Sequence, residues 1–145
     1  MEVCSFLQPT FTGYINTIAD AVAVVEACLQ GYLRHLPRRL LNSGRVKLIK
    51  SGSVFVYESG CSGITSWDDG MWWERAQERD GFQIYRSIAD TTCVNKQSHV
   101  LHKKMRNVTI GRYIHYLVAY YDECNVHLVK SQMSSLLETP LNAVT

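Results

Sequence analysis

Hydrophobic residues recur along this chain with two different periods. Near the start, Phe11-Thr12-Gly13-Tyr14-Ile15 reads as a short strand, with Gly13 marking a bulge or a close backbone approach. Thr17 then offers an N-cap, and Asp20, three residues on, completes a capping-box-like start. Ile18, Val22, Val25 and Leu29 follow at helical spacing, which predicts an amphipathic helix ending at Gly31. Pro37 can open a shorter second helix through Arg38-Arg39-Leu40-Leu41, stopped by Asn42-Ser43-Gly44. The pattern then changes to that of strands. Val54, Phe55, Val56 and Tyr57 are β-branched or aromatic, as in a strand over 53–58, and Ser59-Gly60-Cys61-Ser62-Gly63 turns the chain. Phe82, Ile84 and Ile88 alternate with Gln83, Tyr85 and Ser87, as in a half-buried strand. Val108–Ile110 and Arg112–Tyr121 around Gly111 predict a hairpin, although Ile110-Gly111 makes a poor type I′ turn. Apolar residues fall on both phases of the second of these strands, so it is expected to be central and covered on both faces. A last helix is expected within 123–133, before a stop at Thr139-Pro140. Mixed elements of this kind predict an α+β domain whose sheet is mostly antiparallel, with a few short helices packed on it.

The segment between the two sets of strands is unusual. Trp67, Trp72 and Trp73 are all the tryptophans in the chain, and they flank Asp68-Asp69-Gly70. Three indoles this close together either anchor a loop to the core or face a partner. Glu74–Asp80 is polar and expected to be exposed, and residues 89–98 have weak periodicity and read as a connection.

Composition narrows the class. A chain of 145 residues that is 46% hydrophobic and 19% charged can bury one core and is not disordered. Asp20 and Glu26 interrupt the longest apolar run, so no membrane span is expected, and the N-terminus lacks the pattern of a signal peptide. Five dispersed cysteines, without a Cys-x-x-Cys pair, argue against a disulfide framework or a zinc finger.

The net charge of +2 says little, but its distribution says more. Residues 27–57 hold six basic side chains and no acid, and residues 91–121 hold five and no acid. Brought together, the two blocks would form one positive face suited to phosphate. Kept apart, they are two ordinary solvated surfaces.

Catalysis finds little support. Gly60-Cys61-Ser62-Gly63 lacks the spacing of a nucleophile elbow and has no evident base. The five histidines show no metal-ligand spacing, Asp68-Asp69 stands without the further carboxylates of a calcium loop, and no phosphate-cradling glycine loop is present. Neither an enzyme nor a cofactor is expected.

The string Ser51-Gly-Ser-Val-Phe-Val56, with Gly63-Ile64 and Trp67-x-Asp69-Gly70-x-x-Trp73, resembles the WOPR-box family of fungal transcription regulators. Phe11–Ile15, Glu26–Gly31, and Leu117–Tyr121 with Leu137-x-Thr139-Pro140 resemble it in the same order. The resemblance implies a nuclear, sequence-specific domain for A/T-rich double-stranded DNA, built from two interlocked halves, with other transcription regulators as further partners. Here the halves would be residues 6–90 and 99–142, joined by a short connection at 91–98. The residues nominated for the DNA-facing surface are Arg38, Arg39, Arg45, Lys47, Lys50, Ser51, Trp67, Asp69, Gly70, Arg75, Lys103, Lys104 and Arg112. Asp69 would accept hydrogen bonds from loop amides, Gly70 would permit a tight path, and Trp67 would anchor the loop or touch a groove. Where the family usually has basic residues before the loop tryptophan, this chain has Thr65 and Ser66, and Asp68 replaces a threonine. That departure supports an alternative: a protein-interaction module that keeps the fold but has lost DNA binding.

Overall fold

A computed structural model describes residues 7–41, 47–88 and 100–122. The expected connection at 91–98 and the helix at 123–133 lie outside these residues. The described elements run β1 (Phe11–Thr12), α1 (Ile18–Leu29), β2 (Ser53–Glu58), α2 (Ser59–Ser62), β3 (Gln77–Arg79), β4 (Phe82–Arg86), β5 (Leu101–Ile110) and β6 (Tyr113–Asp122).

The six strands form one antiparallel sheet in the order β1-β2-β6-β5-β4-β3. The hairpin β5–β6 therefore lies between β2 and β4, which precede it together in sequence. The hairpin supplies the two middle strands, and the strands that precede it in sequence supply both flanks. As the two-phase pattern of β6 predicts, that strand is central, and Leu117–Tyr121 are all buried.

Alternation along the central strands creates two hydrophobic layers. Val54, Val56, Leu117, Ala119, Val108, Phe82 and Ile84 face α1. Phe55, Tyr57, Val118 and Tyr120 face the other way, under Leu36, Leu40, Trp67 and Trp73. The outer edge of β2 is closed by local partners: the Thr10 hydroxyl accepts from Val56 N at 3.0 Å, and Leu36 N donates to Val56 O at 2.7 Å. Such cover removes a free sheet edge.

Helix α1 begins as expected. Thr17 Oγ1 accepts from Asp20 N at 3.1 Å, and Asp20 Oδ2 accepts from Thr17 N at 3.0 Å. Its buried face is rotated from the predicted stripe, however. Ala21, Val24, Val25 and Cys28 meet the sheet, while Ile18 and Leu29 at the ends stay exposed. The small side chains at 21 and 28 let the helix approach the strands closely, so size outweighs hydrophobicity in choosing the face. Burial pushes the Cys28 thiol up to about 12, as befits a packed, unreactive group.

Two local expectations need correction, and a third gains detail. No helix forms over Pro37–Leu41. The segment is instead laid along the sheet, with Leu36 N–H donating to Val56 O and both Leu36 and Leu40 buried in the aromatic layer. The polar stretch before residue 80 contains the exposed strand β3, joined to β4 through Asp80 and Gly81. Their φ values of 56° and 86° are the two left-handed positions of an Asp-Gly type I′ turn. In the β5–β6 hairpin the turn residues are Gly111-Arg112, since Ile110 pairs with Tyr113. Only Gly111 has positive φ, at 66°, which fits the type II′ pattern with glycine first.

Candidate nucleic-acid interface

The Trp67–Trp73 loop leaves the end of α2 and crosses the aromatic face of the sheet. Its three tryptophans do different things. Trp67 stacks on Tyr57 with ring centres 5.7 Å apart and an interplanar angle of 14°, and Tyr57 stacks in turn on Tyr116 at 5.1 Å. Trp73 packs beside Tyr120 and Tyr85. Trp72 points away from this layer and is 81% exposed.

Asp69 is the centre of the loop, and it is only 5% exposed. Its Oδ1 accepts from Met71 N at 3.1 Å and from Trp73 Nε1 at 3.0 Å. Its Oδ2 accepts from the Tyr120 hydroxyl at 2.6 Å and from Lys103 Nζ at 3.1 Å. The Tyr120 oxygen also accepts from Trp67 Nε1 at 2.6 Å. One carboxylate thus ties its own loop, both packed indoles, β5 and β6 into a single network.

The electrostatics follow from that geometry. Burial alone would raise the Asp69 carboxyl, but hydrogen bonds from Tyr120 and Trp73 and the charge on Lys103 outweigh it, so the group is held below its ordinary value. Burial pushes the Lys103 ammonium down, and Asp69 opposes that shift. Burial, reinforced by Asp69, pushes the Tyr120 phenol up, so the hydroxyl stays a donor.

The nominated residues separate into three groups. Asp69 accepts a loop amide, as expected, but it does so as a buried anchor and faces no solvent. Gly70 follows it with φ of 76°, and the partly buried Trp67 is held by its ring stack and hydrogen bond. The second group is exposed: Arg39, Lys47, Lys50, Arg75 and Arg112, with Arg38 partly so. Ser51 is half-buried, and its hydroxyl accepts from Asp122 N at 2.9 Å. Arg45 lies outside the described residues.

The third group corrects the picture of one continuous basic face. Lys103 and Lys104 are 6% and 5% exposed. Neighbours on a strand point to opposite faces, and β5 is covered on both, so both side chains are drawn inside. Lys103 Nζ lies 4.4 Å from the Trp73 ring centre as well as against Asp69. Lys104 Nζ donates to Ile15 O at 2.6 Å and sits over the rings of Tyr14, Phe82 and Tyr121. Arg106 is also engaged, through Nη1 to Gly81 O at 2.6 Å. Of the second block, Arg112 at the hairpin turn stays exposed. Sequence reasoning missed Trp72 as the projecting indole. The available signal was that only Trp67 and Trp73 hold the spacing of the Trp-x-Asp-Gly-x-x-Trp string.

Residues 10–110 match the Gti1/Pac2 family. The chain belongs to that family. Among curated Gti1/Pac2 relatives it is 46% identical over 84 residues to the Global transcription regulator FGP1 of Gibberella zeae, and 36% identical over 92 residues to White-opaque regulator 1 of Candida albicans. These alignments cover 58% and 63% of this chain, but 25% and 12% of the relatives, so the chain spans a quarter or less of those proteins. The WOPR domain of Wor1 from Candida albicans, solved in complex with a 17-bp double-stranded DNA, superposes with a TM-score of 0.73 at 28% identity, covering 90% of this chain and 92% of that one. Its complex with a 13-bp duplex gives 0.71 at 30% identity. The resemblance to WOPR regulators and the α+β, mostly antiparallel fold are thereby borne out. Among the described residues, no helix is long and apolar enough to cross a membrane.

Proposed function

We propose that this chain is a sequence-specific domain for double-stranded DNA that acts, without catalysis, in transcriptional regulation in the nucleus. The observation that carries this reading is the superposition on nearly the whole of a domain solved on duplex DNA. The surface assigned to DNA comprises the loop at Trp67, Asp68 and Gly70 together with the cations Arg38, Arg39, Lys47, Lys50, Arg75 and Arg112, and Arg45 by its place in the first basic block. Lys103, Lys104 and Asp69 are withdrawn from direct contact and assigned to holding the loop. An A/T-rich element is the proposed target, following the family resemblance.

A second reading is favoured by a specific observation. Thr65, Ser66 and Asp68 are exposed where the family usually has two basic residues and a threonine, and much of the second basic block is turned inward. A loop with this charge suits a protein partner better than a phosphate backbone.

A salt titration separates the two. If the outward cations contact phosphate, log K for duplex DNA falls linearly with log salt, by roughly 0.9 per phosphate neutralised. Six contacts correspond to about a thousandfold loss of affinity between low and moderate salt. Fluorescence anisotropy with A/T-rich and G/C-rich duplexes measures both the slope and the preference. No binding to either duplex at any salt would leave the interaction module standing.

A further inference from the structure

The loop offers one large side chain to the outside, and it differs from the tryptophan nominated from sequence. Trp67 and Trp73 spend their N–H groups on Tyr120 and Asp69, and their ring faces on neighbouring side chains. Trp72 is the opposite case. Among the described residues its indole has neither a hydrogen bond nor a ring partner, and it is 81% exposed. An indole this open forgoes the burial that large aromatic side chains usually obtain.

Its backbone, by contrast, is held on both sides. Met71 N is bonded to Asp69, Trp72 O accepts from Ile88 N at 3.0 Å, and Trp73 bridges to Ser87. The Asp69 network and the end of β4 therefore present the indole from a stiff support. Burying it in a partner would order two side-chain torsions and little backbone, which keeps the entropic cost low.

Resting on the DNA-binding reading above, we infer that Trp72 is the loop's contact to DNA, a neutral wedge that stacks on an opened base step from the minor-groove side. Apolar side chains act in this way in minor-groove binders, where they partly unstack a step and kink the duplex. The chemistry matches the local charge. Asp68 is exposed, and Glu74 is turned to Arg86, with N···O of 3.7 Å. The loop thus lacks the strong positive field that a phosphate contact needs. Stacking needs none, and Met71 beside Trp72 is partly exposed and extends the apolar tip. In this chain an indole takes over the part of the contact that basic residues at positions 65 and 66 would make.

The test uses the whole chain with wild-type, Trp72→Ala and Trp72→Phe forms, each titrated with an A/T-rich duplex across a range of salt. Trp72→Ala is expected to bind about tenfold to a hundredfold more weakly, the scale of a lost base–aromatic stack. The slope of log K against log salt should not change, because no phosphate contact is removed. Trp72→Phe should recover most of the affinity, because a phenyl ring still offers a face for stacking. Tryptophan emission of the wild type should be quenched by duplex, and most of the quench should be lost in Trp72→Phe. Alanine binding equal to wild type, or a quench undiminished in Trp72→Phe, overturns the wedge. A wild type that binds no duplex at any salt fails the DNA reading itself and the wedge with it. Melting curves of the variants should coincide with wild type, since the side chain is solvated.

Discussion

Lys103 and Lys104 are adjacent on β5 and almost equally buried, yet they work in different surroundings. On the aromatic face, Lys103 meets a carboxylate that is itself out of water. On the α1 face, Lys104 meets the Ile15 carbonyl, the Tyr14 hydroxyl at 3.4 Å and three aromatic rings. Lys103 completes a charge pair that sets the tryptophan loop, whereas Lys104 ties the segment between β1 and α1 to the sheet. Burial and residue type are the same, so the partner decides how much each lysine matters. A buried charge is tolerable only in relation to what else is buried with it.

The largest effect is expected from Lys103→Met. It keeps the stem length but strands the Asp69 carboxylate, and should destabilise the domain by about 3–5 kcal/mol in urea unfolding. Removing the orphaned charge as well, in Lys103→Met with Asp69→Asn, should recover part of that loss. A double mutant no more stable than the single would mean that the charge pair is not what Lys103 supplies.

Lys104→Met should cost less, about 1–3 kcal/mol, because it leaves the Ile15 carbonyl without its donor and does not touch the Asp69 network. An equal loss at the two positions would erase the contrast between the faces.

Acid should distinguish the faces in sequence. His115 alternates with Leu117 and Ala119 and so lies on the α1 side, where its Nδ1 is 3.1 Å from His35 Nε2. One hydrogen bond between two imidazoles needs one N–H and one lone pair, so a second proton removes it and sets two cations together. Both histidines are lowered by burial, His35 also by His115, and Glu58 opposes the shift without reversing it. A lowered imidazole means that the unfolded chain binds protons first. Stability from this pair is complete above about 6.5 and is lost as the pH falls below it. Asp69 is also lowered, so its contribution is present above about 3.9, the unfolded value, and is lost only as the pH falls through the folded one. Unfolding free energy measured against pH should therefore decline in two stages, and His115→Gln should remove much of the earlier one.

Much of this architecture was legible because the signals were local. The residues of β2 and the cap of α1 are written in side-chain type and spacing, and the two-phase pattern of β6 announced its central place. The lysines were misread because strand position was known for β6 but not for β5, and sign alone does not reveal burial. Adjacent lysines on any strand covered on both faces must both be buried, so the information was present once β5 was placed beside β6. The turn at Asp80-Gly81 carried a strong hairpin signal that the surrounding polar residues obscured. The helix expected at Pro37 gave way to a non-local arrangement, in which Leu36 bonds to Val56 and Leu36 and Leu40 are both buried against the sheet.

The placement of β5–β6 between β2 and β4 has a consequence for synthesis. As the chain leaves the ribosome, β2 and β4 emerge well before the hairpin that must separate them. Until then each has at least one unpaired edge, and Val54, Phe55 and Val56 have no strand on the side that β6 will occupy. The nascent first half is therefore an open template for other chains, which is where aggregation begins. Closure depends on residues far apart in sequence finding their register, and non-local pairing of this kind is intrinsically slow. A first half released early, by truncation or a stalled ribosome, would be a sheet without its middle.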